Sequence, residues 1–202
     1  MNTTAILLAA GASRRMGSPK QLLRFGGQSL IRLMARELLG SRCQQVLVVL
    51  GAWQEKIQPE LHDLPLHLRF NPHWQQGMGT SVACGVSALS GLPSPSQACI
   101  LCVCDQPFLR SAHLNQLIHS HDQSGKGIIA SAYGGNVGVP VFFHQTYFPF
   151  LMKLNGQTGA KSLLNRFPSE VATVPFPHGI TDLDSPEDYA RCMKWIEEKG
   201  WP

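Results

Sequence analysis

The sequence predicts an α/β fold built on a mostly parallel sheet, and three observations carry that prediction. Residues 5–8, 46–50 and 98–104 are continuous apolar runs, without the alternation of a one-faced strand, and read as strands buried on both sides. Between them lie apolar residues at helical spacing, most clearly Leu30, Ile31, Leu33, Met34, Leu38 and Leu39. The first run then breaks into a loop of small residues that carries cations, the place where such sheets hold anions.

That loop, residues 8–20, reads L-A-A-G-A-S-R-R-M-G-S-P-K. Its small side chains let backbone N–H groups approach a phosphate, and Arg14, Arg15 and Lys20 can neutralise it. Spacing excludes two common phosphate loops. Five residues part Gly11 from Gly17, and Ser18 and Pro19 precede Lys20, so the G-x-x-x-x-G-K-S/T pattern fails. Gly11 is followed by Ala12 and Ser13, so G-x-G-x-x-G fails too.

A helix follows the loop, with Gln28 and Ser29 near its start and Gly40 at its end. The apolar run 46–50 closes at Gly51, residues 53–62 read as a short helix, and 64–70 alternate enough for a third strand. Strands separated by helices imply right-handed crossovers. Residues 71–81, N-P-H-W-Q-Q-G-M-G-T-S, lead into a helix over 82–89, with Thr80 or Ser81 as its N-cap. A Pro/Ser loop at 91–97 precedes the strand 98–104, which ends in Asp105, a carboxylate at the ligand-binding edge of the sheet. A helix over 111–123 buries Leu114, Leu117 and Ile118. Strands at 127–133 and 137–143 flank a Gly134–Gly135 turn, and Gly138 with Pro140 marks the second as an edge or a ligand-lining bulge. A short helix at 147–153 and a strand at 171–174 come next. The last helix opens on Ser185 as N-cap, Pro186 at its first position and Asp188 at its third, and runs to residue 199. With no repeat and no dividing linker, residues 1–202 read as a single domain.

Composition narrows the function classes. Hydrophobic residues make up 44% and charged residues 15%, the balance of a folded chain with a full core. The net charge of +4 is mild and scattered, which speaks against nucleic acid and for a small anionic ligand. Met1 to Thr4 lack a charged leader and the first apolar run is too short to span a bilayer, so a cytoplasmic protein without membrane contact is expected. Cys99 and Cys102 point to opposite faces of one strand, which argues against a disulfide or a zinc site and for small buried hydrophobes.

The pattern L-A-A-G-x-S-x-R-M-G-x-x-K resembles the signature loop of the molybdenum cofactor cytidylyltransferase family. G-M-G-T-S at 77–81, D-Q-P at 105–107, G-Q-T-G-A-K at 156–161 and D-L-D-S-P-E-D at 182–188 match further segments in that family's order, wholly or in part. The resemblance implies a three-layer, Rossmann-like (GT-A-like) nucleotidyltransferase fold with a mixed, mostly parallel sheet. It implies transfer of CMP from CTP to the terminal phosphate of the molybdenum-bound pterin, with release of pyrophosphate. Arg15, Lys20 and Asp105 would form the catalytic set. Leu8, Ala9, Ala10, Gly11, Arg14, Gly77, Gly79 and Ser81 would join them around the nucleotide. Asp105 and Asp182 would hold Mg²⁺, with Mn²⁺ an alternative, and Asp184 would order the start of the last helix. Gly138, Pro140 and Lys161 would bind the acceptor, and a molybdoenzyme would receive the product.

Ala10, where guanylyl-transferring relatives have glycine, favours CTP. The departures gather on the acceptor side: Val139 replaces the family's histidine, Gln157 its acid and Lys161 its arginine. Lysine neutralises a phosphate but lacks arginine's planar fork. Two other readings therefore stay open, a cytidylyltransferase for a sugar- or polyol-phosphate and a non-catalytic cofactor-binding chaperone.

Overall fold

Every residue of the first strand, β1 (Thr3–Leu8), is buried, because it lies inside a sheet whose two faces are covered by helices. The structure, a computed structural model, describes residues 1–201. Its strands continue with β2 (Arg24–Phe25), β3 (Gln28–Ser29), β4 (Gln45–Leu50), β5 (His67–Phe70), β6 (Ala98–Val103), β7 (Ile128–Tyr133), β8 (Asn136–His144) and β9 (Val171–Pro175). Its helices are α1 (Leu30–Leu39), α2 (Gln54–Ile57), α3 (Met78–Ala88), α4 (Ser111–Ser124), α5 (Phe148–Leu151), α6 (Lys161–Arg166) and α7 (Pro186–Lys199).

Seven strands form one sheet in the order β5-β4-β1-β6-β8-β7-β9, and β2 pairs with β3 in a separate small ribbon. β8 alone runs against its neighbours in the large sheet, so the sheet is mixed and mostly parallel. Alternation along β1 divides the interior in two. Ala5 and Leu7 face a core shared with α1, α4 and α7, while Ile6 and Leu8 face one shared with α3, α5 and α6. The result is the three-layer α/β/α arrangement. Chain order reverses about β1, with β4 on one side and β6 on the other, which opens a crevice at their C-terminal ends. Among the described residues no helix is long and apolar enough to cross a membrane.

Three local expectations need correction. The third strand begins at His67 rather than Leu64, because Pro65 has no N–H to give a ladder and Leu64 to Leu66 close a tight turn instead. α3 begins at Met78 with Gly77 as its N-cap, and the Thr80 hydroxyl, one turn inside, donates to the Gly77 carbonyl at 2.9 Å. Of the two readings of Gly138 and Pro140 the edge fails and the bulge holds: β8 lies between β6 and β7, with Val139 and Pro140 out of register. Pro140 is tolerated there because the β7–β8 register shifts between Ala130 and Ser131, and the Ser131 hydroxyl donates to the Pro140 carbonyl at 2.7 Å. The cap of α7 matches expectation, with Ser185 and Asp188 forming a reciprocal capping box and Pro186 opening the helix. Cys99 faces one core while Cys102 and Cys104 face the other, and burial pushes all three thiols up.

The Ser131 bridge extends to α4. His113 is 6% exposed, stacks on Phe176, and places Nε2 2.7 Å from Ser131 Oγ. The serine proton goes to Pro140, so the imidazole donates to the serine oxygen. Burial pushes the ring down from 6.5 to about 4. A depressed histidine supports the fold fully above the unfolded value and loses that support as pH falls toward the folded one. Chemical denaturation at pH 7.5 and 4.5 should therefore show a stability loss of roughly 2.5 kcal/mol from this group, absent in His113→Asn. Equal pH dependence in both proteins would remove His113 as the cause.

Candidate active site

The loop after β1 is held by its own backbone and one buried side chain. Ala9 N–H donates to the Val49 carbonyl at 2.9 Å and Cys104 N–H to the Leu8 carbonyl at 3.3 Å, so the β1 end is tied to both neighbours. Gln21 is buried, and its amide donates to the Ala9 carbonyl at 2.9 Å and the Gly11 carbonyl at 3.0 Å. Ser13 takes a left-handed conformation, φ 53°, and its Oγ accepts from Lys20 N at 3.1 Å. That turn folds the loop back so that Lys20 points to the sheet edge.

There Lys20 Nζ lies 2.7 Å from Asp105 Oδ2 and 3.0 Å from Asp184 Oδ1. Arg15 reaches the other oxygen of Asp184 at 2.7 Å. The C-terminal segment comes to this place because Leu183 N–H donates to the Asp105 carbonyl at 3.0 Å. Burial works against the Lys20 charge, but Asp105 and Asp184 outweigh it and raise its pKa. The Asp182 carboxyl is crowded, and lost hydration together with the Asp105 and Asp184 charges raises it to about 6. The cluster thus holds more negative charge than Lys20 relieves.

Beside it opens a cleft of about 390 Å³. Leu8, Ala9, Ala10, Gly11, Arg14, Lys20, Gly77, Ser81 and Asp105 line it, nine of the residues singled out by the sequence. Asn71 sets the far wall: it is buried and its amide donates to Thr80 Oγ1 and Ser81 Oγ, each at 3.0 Å. Trp74 and Gln157 complete that wall.

Other residues fall elsewhere. Arg15 turns away from the cleft and lines a neighbouring cavity of about 570 Å³ with Asp182 and Asp184. Gly79 is buried beneath residues 155–158, where an added Cβ would lie 2.5 Å from the Asn155 carbonyl oxygen. Gly138 is buried under Tyr133, whose hydroxyl would be 2.6 Å from a Cβ there, and Pro140 is buried too. Lys161 lines a third cavity, of about 520 Å³, with residues 132–137. Gln157, grouped with the acceptor side by its motif, lies instead in the cleft with the β1 loop. Sequence reasoning missed Gln21 and Asn71, and the one signal each gave was a long amide beside an apolar or helix-starting stretch. Among the described residues no three metal-ligating side chains converge on one point. A pair of carboxylates nevertheless suits Mg²⁺, which completes its shell with substrate phosphates and water.

Fold and site together define an α/β nucleotidyltransferase. The MobA-like NTP transferase domain matches residues 5–171, and the chain belongs to that family. It is 31% identical to the purine catabolism protein PucB of Bacillus subtilis, over 91% of this chain and 92% of that one. It is 28% identical to nicotine blue oxidoreductase of Paenarthrobacter nicotinovorans, over 94% and 96%. A probable molybdenum cofactor guanylyltransferase of Trichormus variabilis is 26% identical, over 94% and 89%. Among solved structures, the Rv0371c homologue from Mycobacterium sp. strain JC1 superposes with a TM-score of 0.82 at 24% identity, over 97% of each chain. Rv0371c of Mycobacterium tuberculosis in complex with manganese gives 0.78 at 22%, over 96% and 99%.

Proposed function

We propose that this protein transfers CMP from CTP to the terminal phosphate of a molybdenum-bound pterin in the cytoplasm. The observation that carries the reading is the Lys20–Asp105–Asp184 cluster beside a cleft walled by the small-residue loop. An acceptor phosphate oxygen forms the new bond to the α-phosphorus, the bond between the α- and β-phosphates breaks, and pyrophosphate leaves. A phosphate oxyanion needs no general base. What the protein supplies is alignment and charge.

Gly11 and its neighbours bring backbone N–H groups to the triphosphate, and Arg14 and Lys20 neutralise it. Asp105 and Asp182 would hold Mg²⁺ or Mn²⁺, which when bound would supply charge stabilisation at the reacting phosphate oxygens. Support for the metal comes from the uncompensated charge around Asp182 and from the manganese complex of a similarly folded protein. Support for a pyrimidine comes from Ala10, which lines the cleft at the loop position where guanylyl-transferring relatives have glycine. Support for a pterin acceptor comes from the relative named as a molybdenum cofactor guanylyltransferase. A molybdoenzyme then receives the dinucleotide.

Pyrophosphate release measured with CTP, GTP, ATP and UTP, each with Mg²⁺ or Mn²⁺ and with or without molybdenum-loaded pterin, tests this. Release with CTP only when the pterin is present is expected. A clear preference for GTP would overturn the nucleotide assignment. CTP-dependent release with a phosphorylated sugar or polyol in place of the pterin would overturn the acceptor.

A further inference from the structure

Two glycines fix a segment distant in sequence against the start of α3. A Cβ on Gly77 would lie 2.3 Å from the Gly156 carbonyl oxygen and 2.9 Å from Gln157 N, and one on Gly79 would lie 2.7 Å from the Thr158 carbonyl oxygen. Gly79 N–H donates to the Gly156 carbonyl at 3.0 Å. Gly77 also has φ 121°, a conformation that L side chains rarely adopt. No other residue at either position lets residues 155–158 come so close. These glycines therefore serve the docking of that segment, and the docking sets Gln157 on the wall of the cleft beside Gly77, Ser81 and Trp74.

The cations of the cleft, Arg14 and Lys20, stand on the β1 loop. On the function proposed above, phosphates lie along that loop and leave the wall at residues 77–81 to the nucleoside. An amide on this wall both donates and accepts, as a base edge or a pair of ribose hydroxyls requires. A carboxylate could only accept, and would repel the polyphosphate nearby. We propose that Gln157 is a nucleotide-selecting residue that contacts the nucleoside half of the bound triphosphate and not the acceptor.

Gln157 is exposed, so its replacement leaves the fold intact. Equilibrium binding of CTP, dCTP, UTP, GTP and ATP to Gln157→Ala and Gln157→Glu, without acceptor, reads the effect apart from turnover. Gln157→Ala is expected to weaken the preferred triphosphate about tenfold and to flatten the preference among the others. Gln157→Glu should bind every triphosphate more weakly than Gln157→Ala. A loss for CTP that dCTP escapes assigns the contact to the ribose, and an equal loss for both assigns it to the base. Unchanged nucleotide affinities, with or without a shift in acceptor KM, would overturn the inference. Failure of the wild-type protein to bind any triphosphate would instead overturn the function on which the inference rests.

Discussion

Replacing Asp105 by alanine is expected to cut pyrophosphate release by about a thousandfold or more. Asp105 stands at the end of β6, at the edge of the cleft, and its carboxylate is one of two on Lys20. Its structural duty is carried by the backbone, whose carbonyl accepts from Leu183 N–H and survives the substitution. The fold and the start of α7 should therefore persist, and the loss should fall on turnover. Asp105→Asn keeps the shape and removes the charge, so it should be nearly as impaired if the carboxylate serves a cation. Paired assays of pyrophosphate release and nucleotide binding check this. Turnover within about tenfold of wild type would reject a reacting-centre role. An Asp105→Ala protein with no turnover to lose, yet still able to deliver cofactor to an apo-molybdoenzyme, would mark the chain as a chaperone.

Much of this arrangement is legible in the sequence where local chemistry decides it. The apolar runs of β1, β4 and β6, the small-residue loop, the carboxylate closing β6 and the capping box of α7 are all set by residues within a few positions of one another. What escaped depends on distance or on one dihedral angle. Asp184 looked like part of a helix start, yet it accepts from Lys20, 164 positions away in sequence. Arg14 and Arg15 are neighbours, and the left-handed turn at Ser13 sends only the first into the cleft. The motif around Gln157 gave no sign of where it would lie, and the close docking allowed by Gly77 and Gly79 places it on the cleft beside the β1 loop. Gly138 and Pro140 marked β8 as an edge or a bulge, and only the pairing of distant strands decides between them: Val139 and Pro140 bulge out of register within a strand of the sheet interior. Each failure has one cause: tertiary contacts satisfied a group that the local pattern could not place.

Lys20→Ala is expected to lower turnover by a hundred- to a thousandfold, about 3–4 kcal/mol of transition-state stabilisation. It should also raise the affinity of the nucleotide-free protein for a divalent cation. The opposed directions follow from the geometry. Lys20 Nζ takes one oxygen of Asp105 and one of Asp184, and its charge offsets part of the repulsion that raises Asp182. Without it the carboxylates face one another with only Arg15 on the far side of Asp184, and a divalent ion is the strongest relief available. On the proposed function the same lysine meets the triphosphate once nucleotide binds, and its removal leaves Arg14 as the other cation lining that cleft, so turnover falls. Lys20→Arg keeps the charge, but its planar fork cannot give one point donor to two carboxylates as the ammonium does, so partial activity is expected. Manganese binding followed by electron paramagnetic resonance, set beside kcat/KM for the same variants, separates the two effects. Metal affinity falling together with turnover would mean that Lys20 organises the carboxylates for the ion instead of competing with it.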